Sequence, residues 1–286
     1  MVQKTDLNVS PYYDDFDETD NFHRTLFRPG FAIQARELTQ LQSVLQNQIE
    51  KHGGHVFKEG AVVIPGAVTL NINYYSLKLA TTFASETIDP SQYFNSTTPV
   101  TITGATTGVT AVVVGFDAAT TTDQPTLYVR YVKSGTDNVT TAFADGENIS
   151  ADTGITHTTA YSTGVASATT YTSQFSATAG SSVANLAGST GPASRIGSAA
   201  HIQAGVYYIR GFFVTCAEET LVLDKYDNKP SYRVGFTVTE SLVTPESDTT
   251  LLDNATGSSN YAAKGAHRLK IALALGKLAR GSTADS

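Results

Sequence analysis

The sequence predicts a mainly β protein of the α+β class, with one long helix near its N-terminus. Between Ala32 and His52 no Gly or Pro interrupts a run rich in Ala, Leu, Gln, Glu and Arg, which all favour helices. Most other regular stretches alternate apolar and polar residues, as half-buried strands do. The 286 residues can bury a substantial core, in one large or two small domains.

We expect five segments along the chain. Residues 1–26 form an acidic and aromatic docking arm, and residues 27–98 carry the helix and the first strands of a β-rich main domain. Residues 99–150 form a small inserted β-module with a closed core, similar to a barrel or sandwich. Residues 151–198 are rich in Ser, Thr, Ala and Gly and form an extended segment. Residues 199–286 return the chain to the main domain as its C-terminal strands.

The helix follows Pro29 and is predicted to stop at Gly53 and Gly54, because glycine favours the left-handed conformation that ends helices. Its apolar seam has alternating spacings of three and four residues and consists of Leu38, Leu41, Leu45, Gln48 and His52. This heptad spacing lasts about three turns, which is too short to identify a coiled coil. Two interpretations stay open: a core helix lying on its own sheet, or a helix bundled around an oligomer axis.

Alternation and turn residues place the strands that accompany the helix. Asp145 and Gly146 mark a turn within the inserted module. A hairpin is expected between Gly205–Thr215 and Thr220–Leu223. The other predicted strands are Ala61–Ile64, Val68–Leu79, Val109–Phe116, Thr126–Val132, Tyr232–Val238 and Leu269–Leu275.

The arm combines acids with aromatic side chains. Its acids are Asp14, Asp15, Asp17, Glu18 and Asp20. They do not form a calcium loop, because no Gly stands at the sixth position and no Glu at the twelfth. We expect the arm to dock onto another surface through its aromatics, Tyr12, Tyr13, Phe16 and Phe22.

Composition excludes several function classes. A net charge of −7 argues against a nucleic-acid-binding surface, which needs clustered Lys and Arg. One cysteine, Cys216, excludes an internal disulfide framework and is expected to be a small buried hydrophobe. No apolar run approaches the ~20 residues of a membrane helix, and the N-terminus lacks an apolar signal core. We expect a protein made in the cytoplasm that binds neither nucleic acid nor membrane.

Motifs that carry chemistry were not found. There is no glycine-rich phosphate loop, no nucleophile elbow and no metalloprotease helix. His52 and His55 could share a metal, or could be a helix cap and a strand-edge residue, and we favour the second interpretation. We therefore expect no catalytic residue, no cofactor and no metal, and a protein that is not an enzyme.

Two blocks of the chain carry a family resemblance. The first consists of Tyr12–Asp17, Asn21–His23, Leu26–Gly30, Gln34–Gln40, Phe57–Gly60 and Val63–Gly66. The second consists of Gly205–Gly211, Leu251–Ala255 and Gly265–Leu269. These runs resemble an uncharacterised domain family of virion structural proteins from tailed phages, notably the contractile-tailed cyanophages. The middle of the chain shows no comparable resemblance.

The resemblance implies a structural virion protein made in the host bacterial cytoplasm. We expect it at the tail baseplate or a tail-fibre root, bound to other tail, baseplate or fibre proteins, as a homotrimer. The expected interface residues are Tyr12, Tyr13, Phe16, Phe22, Leu38, Leu41, Leu45, Gln48 and His52. The alternative is a fibre-associated glycan-binding or depolymerase module. We also expect the chain to be the N-terminal portion of a longer polypeptide.

Overall fold

The structure, a computed structural model, describes residues 5–162, 170–188 and 191–282. These residues contain one α-helix and seventeen strands, which confirms the mainly β class. Two compact units divide the chain. The first comprises Met1–Thr69, His201–Leu221 and Arg233–Ser286, and the second comprises Leu70–Ala200 and Val222–Tyr232. The segment expected to be an inserted module therefore lies within the second unit.

The elements follow one another from the N-terminal helix to a long C-terminal strand. In chain order they are α1 (Ala35–Val56), β1 (Val62–Ile64), β2 (Val68–Lys78), β3 (Thr82–Phe83), β4 (Glu86–Thr87), β5 (Thr101–Gly104), β6 (Thr110–Asp117), β7 (Thr126–Lys133), β8 (Asn148–Ala151), β9 (Ile155–Ser162), β10 (Thr170–Ala177), β11 (Ser182–Asn185), β12 (Ser194–Ile202), β13 (Gly205–Ile209), β14 (Phe212–Cys216), β15 (Glu219–Asp224), β16 (Tyr232–Val243) and β17 (Arg268–Ala279).

The first unit has three layers. Its middle layer is an antiparallel sheet of order β1-β13-β14. Because successive side chains of a strand point to opposite faces, Tyr207 and Tyr208 serve different layers. Tyr207 belongs to an apolar core that includes Phe236 and Ile271 of the β16–β17 ribbon, and Tyr208 contacts α1 on the other face. Cys216 is buried in the same core as Tyr207, as expected.

The end of α1 differs from the prediction. The helix passes through Gly53 and Gly54 and ends at Val56. Gly53 is buried, and a Cβ atom there would lie 2.5 Å from Cε2 of Tyr208. The Tyr208 ring cannot move away easily, because its hydroxyl donates a hydrogen bond to the Glu50 carbonyl at 2.8 Å. Gly53 is thus required for close helix–sheet contact and does not stop the helix.

The predicted C-terminal hairpin also differs from the structure, because its second strand is a different segment of the chain. The turn lies at Arg210 and Gly211, with φ of 50° and 82°, and it joins β13 to β14. Two successive left-handed residues match the right-handed twist of a tight hairpin. The residues expected to form its second strand, 220–223, belong instead to β15, which lies beside β12.

The second unit is built on an eight-stranded sheet of order β11-β8-β5-β6-β7-β2-β12-β15. The strands expected to close into a separate module, β5–β8, lie inside this sheet, and no sheet of the described residues closes into a barrel. The expected extended segment, residues 151–198, contains β9–β11 and most of β12, although residues 163–169 and 189–190 lie outside the described part. Its Val183 and Ala184 are fully buried, so small apolar side chains here complete a core.

A buried histidine stands in this core. His157 is fully buried and stacks between the rings of Tyr93 and Phe175. Its Nδ1 accepts a hydrogen bond from the Asp89 backbone N–H at 3.2 Å, so the proton is on Nε2, which donates to the Val183 carbonyl at 3.1 Å. Burial lowers the pKa of His157, and the ring is therefore neutral in the folded chain.

We expect opposite effects from alanine at the two helix glycines. Gly53→Ala should lower the free energy of unfolding of the first unit, because overpacking against Tyr208 costs ~1–3 kcal/mol and outweighs the ~1 kcal/mol gain in helix propensity. Gly54→Ala should raise it by up to ~1 kcal/mol, because the nearest atom to a new Cβ, the Tyr208 oxygen, is 3.6 Å away. Urea unfolding followed by far-ultraviolet circular dichroism measures both. Equal effects at the two positions would contradict the close contact at Gly53.

His157 should make the stability of the second unit depend on pH. The unfolded ring takes up a proton near its ordinary pKa of 6.5, whereas the folded ring resists protonation. Its stabilising contribution is therefore complete above pH 6.5 and is lost as the pH falls toward the folded pKa, at up to ~1.4 kcal/mol per pH unit. His157→Gln retains a donor and an acceptor but does not titrate. Urea unfolding of both proteins at several pH values below neutrality should show curves that converge as the pH falls, and parallel curves would refute the assignment.

Candidate protein interface

The helix α1 presents three sides. One side contacts the β13–β14 hairpin, where Gln46 Nε2 donates to the Gly211 carbonyl at 2.7 Å. A second side contacts the N-terminal arm. The third side faces solvent, and we call it the open face; it consists of Leu38, Gln42, Leu45, Ile49, His52 and Val56.

Most residues of the open face are apolar, and the exceptions are Gln42 and His52. Leu38, Leu45, Ile49 and Val56 are 49%, 57%, 47% and 59% exposed. Spacings of four and three alternate along the face for about five helical turns. None of its six residues is an Asp, Glu, Lys or Arg. An uncharged heptad stripe of this kind is typical of helices that pack against another helix.

The predicted seam lies close to the open face but is not identical with it. Leu38, Leu45, Gln48 and His52 are exposed, whereas Leu41 is half-buried. Ile49 and Val56 were missed. Counting onward from Leu45 in steps of four, three and four would have found them, but the predicted seam continued from Leu45 to Gln48 and His52, and the helix was expected to end before Val56.

The acids of the arm hold it against α1 of the same chain. Asp15 pairs with Arg36 at 3.2 Å and also accepts a hydrogen bond from Gln40. Glu18 accepts a hydrogen bond from Asn47 at 3.0 Å and pairs with Lys51. Hydrogen bonds from Lys51 and Asn47 lower the pKa of Glu18. The arm is therefore held in place by its carboxylates, and two of its aromatic side chains, Tyr13 and Phe22, stay exposed.

The aromatics that were predicted to dock the arm have different environments. Tyr13 and Phe22 are 57% and 70% exposed, and Phe16 is half-buried. Tyr12 is tied to its own unit by a 2.6 Å hydrogen bond between its hydroxyl and His267 Nδ1. Exposed apolar side chains continue between the arm and α1, at Leu26, Phe27, Phe31 and Ile33.

A groove of about 880 Å³ lies in the first unit between the arm, α1, β14 and β17. Its lining combines polar side chains of α1, such as Gln46, with apolar ones that include Phe212, Val214, Leu242 and Ile271. Its charged group is Arg268, which stands beside His267, and no Asp or Glu is among the described residues that line it. The groove thus combines apolar lining residues with one cationic side chain.

The acidic residues that cluster in the second unit are paired with lysines. Asp123 accepts hydrogen bonds from Lys78 Nζ at 2.8 Å, from Tyr226 Oη at 2.7 Å and from Lys225 Nζ at 3.3 Å. Lys225 also pairs with Asp117 at 2.8 Å. Burial raises the pKa of Asp123, but these bonds outweigh it and lower the pKa to about 2. We assign the cluster the structural role of fixing residues 222–232 to the sheet.

The two histidines that the sequence analysis considered both lie on α1. His52 and His55 are both exposed on α1, and the helix continues beyond His52, so His52 does not cap its end. Within the described ranges, no group of three or more His, Cys, Asp and Glu side chains is arranged to hold a metal ion.

Burial raises the pKa of the Cys216 thiol. None of the helices in the described residues has the length and apolarity needed to cross a bilayer.

One family model matches nearly the whole chain. The family is described as a domain of unknown function, DUF4815, and the match covers residues 10–165 and 169–285. The chain belongs to this family. Neither a curated protein nor a solved structure matches the chain.

Proposed function

We propose that this member of the DUF4815 family is a structural component of a bacteriophage virion that acts through protein–protein contacts. Its proposed place is the tail, at the baseplate or the root of a tail fibre, after synthesis in the host cytoplasm. The phage assignment depends on the sequence runs that resemble virion proteins, above all Tyr12–Asp17 and Gln34–Gln40. The assembly role depends on the surface of the first unit.

The observation that supports assembly most directly is the open face of α1. Four of its side chains are large, apolar and about half exposed. The segment before α1 adds Leu26 and Phe31, which are 74% and 66% exposed. Contiguous apolar surface of this kind is characteristic of interaction sites, because leaving it in water costs about 25 cal/mol per Å².

The occupant that we propose for the open face is the same helix from other copies of the chain. A surface without Asp, Glu, Lys or Arg can meet itself without repulsion, which matters for a chain of net charge −7. Leu38 and Leu45 would form apolar layers, and Gln42 and His52 would form polar layers that fix the register. The number of copies, three, rests on the phage resemblance.

The alternative, a fibre-associated glycan-binding or depolymerase module, requires acids and exposed aromatics that line one groove. The described residues of the groove do not include an acid, and the arm's Asp15 and Glu18 are paired with α1. No feature of the described residues favours this alternative.

Two adjacent substitutions separate an assembly surface from a core. Leu45→Asp should leave the chain folded but convert an oligomer to monomers, because the side chain is 57% exposed and three carboxylates would meet at the axis. Val44→Asp should unfold the first unit, because Val44 is only 5% exposed and an unpaired buried charge costs ~3–5 kcal/mol. Sedimentation velocity and circular dichroism distinguish these outcomes.

The wild-type chain serves as the control in the same experiment. If it sediments as a monomer at high concentration, the homo-oligomer is wrong. If Leu45→Asp unfolds the chain as Val44→Asp does, the open face is part of a core. A Leu45→Ala variant, which introduces no charge, should weaken the oligomer less than Leu45→Asp does.

The virion assignment has its own test. A reconstruction of purified phage particles should contain density for this chain at the baseplate or a fibre root, with α1 near a threefold axis. Particles made with the Leu45→Asp variant should contain less of the chain or none. Absence of the wild-type chain from washed particles would refute the virion role, and an unchanged amount of the variant would refute the role of the open face.

A further inference from the structure

β14 is an edge strand of the sheet formed by the described residues of the first unit. It pairs with β13 on one side and ends the sheet on the other. The backbone N–H of Tyr208 donates to Ala61 O and the Tyr208 carbonyl accepts from Gly60 N, both at 2.9 Å. These bonds point away from β14. The pair formed by Tyr208 and Phe213 is therefore a non-hydrogen-bonded pair, and the N–H and C=O of Phe213 point away from β13.

Thr215, two residues after Phe213, has the same backbone geometry. Thr215 pairs with Val206, so its N–H and C=O also point toward the open edge. Within the part of the chain that the structure describes, none of these four backbone groups has a hydrogen bond. Edge strands with a row of free donors and acceptors are sites where another strand can pair.

The free edge borders the groove. Four consecutive residues, Phe212 to Thr215, line this cavity of about 880 Å³. Side chains of a strand alternate between faces, so consecutive residues line one cavity only when it runs along the edge of the strand. Leu269 and Ile271 of β17 also line the groove, and they offer apolar contacts to alternate side chains of an added strand.

Arg268, which lines the groove, adds charge specificity. Its guanidinium Nη1 donates to the carbonyls of Ala266 and His267, at 2.8 and 3.2 Å. Among the described residues it forms no ion pair with a carboxylate. A carboxylate entering the groove could therefore bind Arg268 without displacing an existing ion pair.

We propose that this groove binds an extended segment of a partner protein by β-strand addition to β14, with an acidic residue of that segment paired to Arg268. The proposal rests on the assembly role and specifies the partner's chemistry: an extended strand with alternating apolar side chains and a carboxylate. The chain's own acidic arm is not this segment, because its Asp15 and Glu18 are bound to α1. Strand addition in a groove is a known mode of peptide recognition.

Proline at Thr215 tests the backbone contribution. Thr215→Pro removes only an outward N–H, which edge strands tolerate, whereas the matched control Thr215→Val keeps it. The probe is a fluorescent synthetic peptide of alternating valine and threonine that ends in aspartate. Thr215→Pro should weaken its binding about ten-fold or more, and Thr215→Val should leave it within about two-fold. Circular dichroism checks that both variants fold.

Arg268 is tested with a second matched pair. Arg268→Gln should weaken binding of the same peptide and abolish its salt dependence, whereas Lys270→Gln, on an exposed residue of the same strand, should do neither. Replacing the peptide's aspartate by asparagine should reproduce the Arg268→Gln result in the wild-type protein. Equal binding of the two peptides would overturn the carboxylate requirement.

Three results would overturn strand addition itself. One is unchanged peptide binding to Thr215→Pro. Another, which does not need that variant to fold, is equal binding of a peptide whose alternate backbone nitrogens are methylated. The third is a Thr215→Pro chain that loses self-association, because the edge would then bind a second copy. These measurements use the free protein, so their failure is separate from a failure of the virion assignment, which is measured on particles.

Discussion

The contact between α1 and the β13–β14 hairpin is the constraint on which the first unit depends. Gly53 allows the helix to approach the Tyr208 ring, and the Tyr208 hydroxyl donates to the carbonyl of Glu50 in the same helix. The hairpin turn contacts the same helix, because a Cβ at Gly211 would lie 2.9 Å from Cβ of Glu50. A larger residue at either glycine would separate the layers. This contact fixes the rotation of the helix about its axis, and the rotation determines which residues face solvent.

The rotation of the helix also determines where the charged residues of the first unit lie. One side of α1 carries Arg36 and Lys51, and the acids of the arm pair with these residues. The open face carries no formal charge, and the groove has Arg268 with no acidic residue among its described lining residues. Acids are thus used to attach the arm within the chain, and the two surfaces proposed for partners differ in chemistry. A neutral apolar stripe suits a copy of itself, whereas Arg268, which has no ion pair among the described residues, and the neighbouring edge of β14 suit a different, acidic partner.

The features that could be predicted from the sequence are those that short-range patterns of apolar and polar residues determine. The mainly β class, the single long helix and the alternation in β16 and β17 were recognised because apolar spacing directly reports which face is buried. The predicted end of α1 was wrong because the sequence alone does not distinguish a glycine that permits close packing from a glycine that ends a helix. The segment 151–198 was expected to be extended and to bury little surface, because its residues are small. Val183 and Ala184 are nevertheless buried, since distant strands supply the surface that covers them.

The candidate interface was predictable only in part, for a related reason. Heptad spacing located Leu38, Leu45 and His52, but spacing does not show which side of a helix its own chain will cover. The covered sides are set by contacts with Tyr208 and Asp15. Tyr208 is far from the helix in sequence, and Asp15 belongs to the arm, which contacts a different side of the helix from the open face. The free edge of β14 was even less accessible to sequence analysis, because it depends on the direction of backbone groups that the Tyr208 bonds reveal. A strand reads the same in a sequence whether its second edge is paired or free, so a site that uses the edge becomes visible only when the whole sheet order is known.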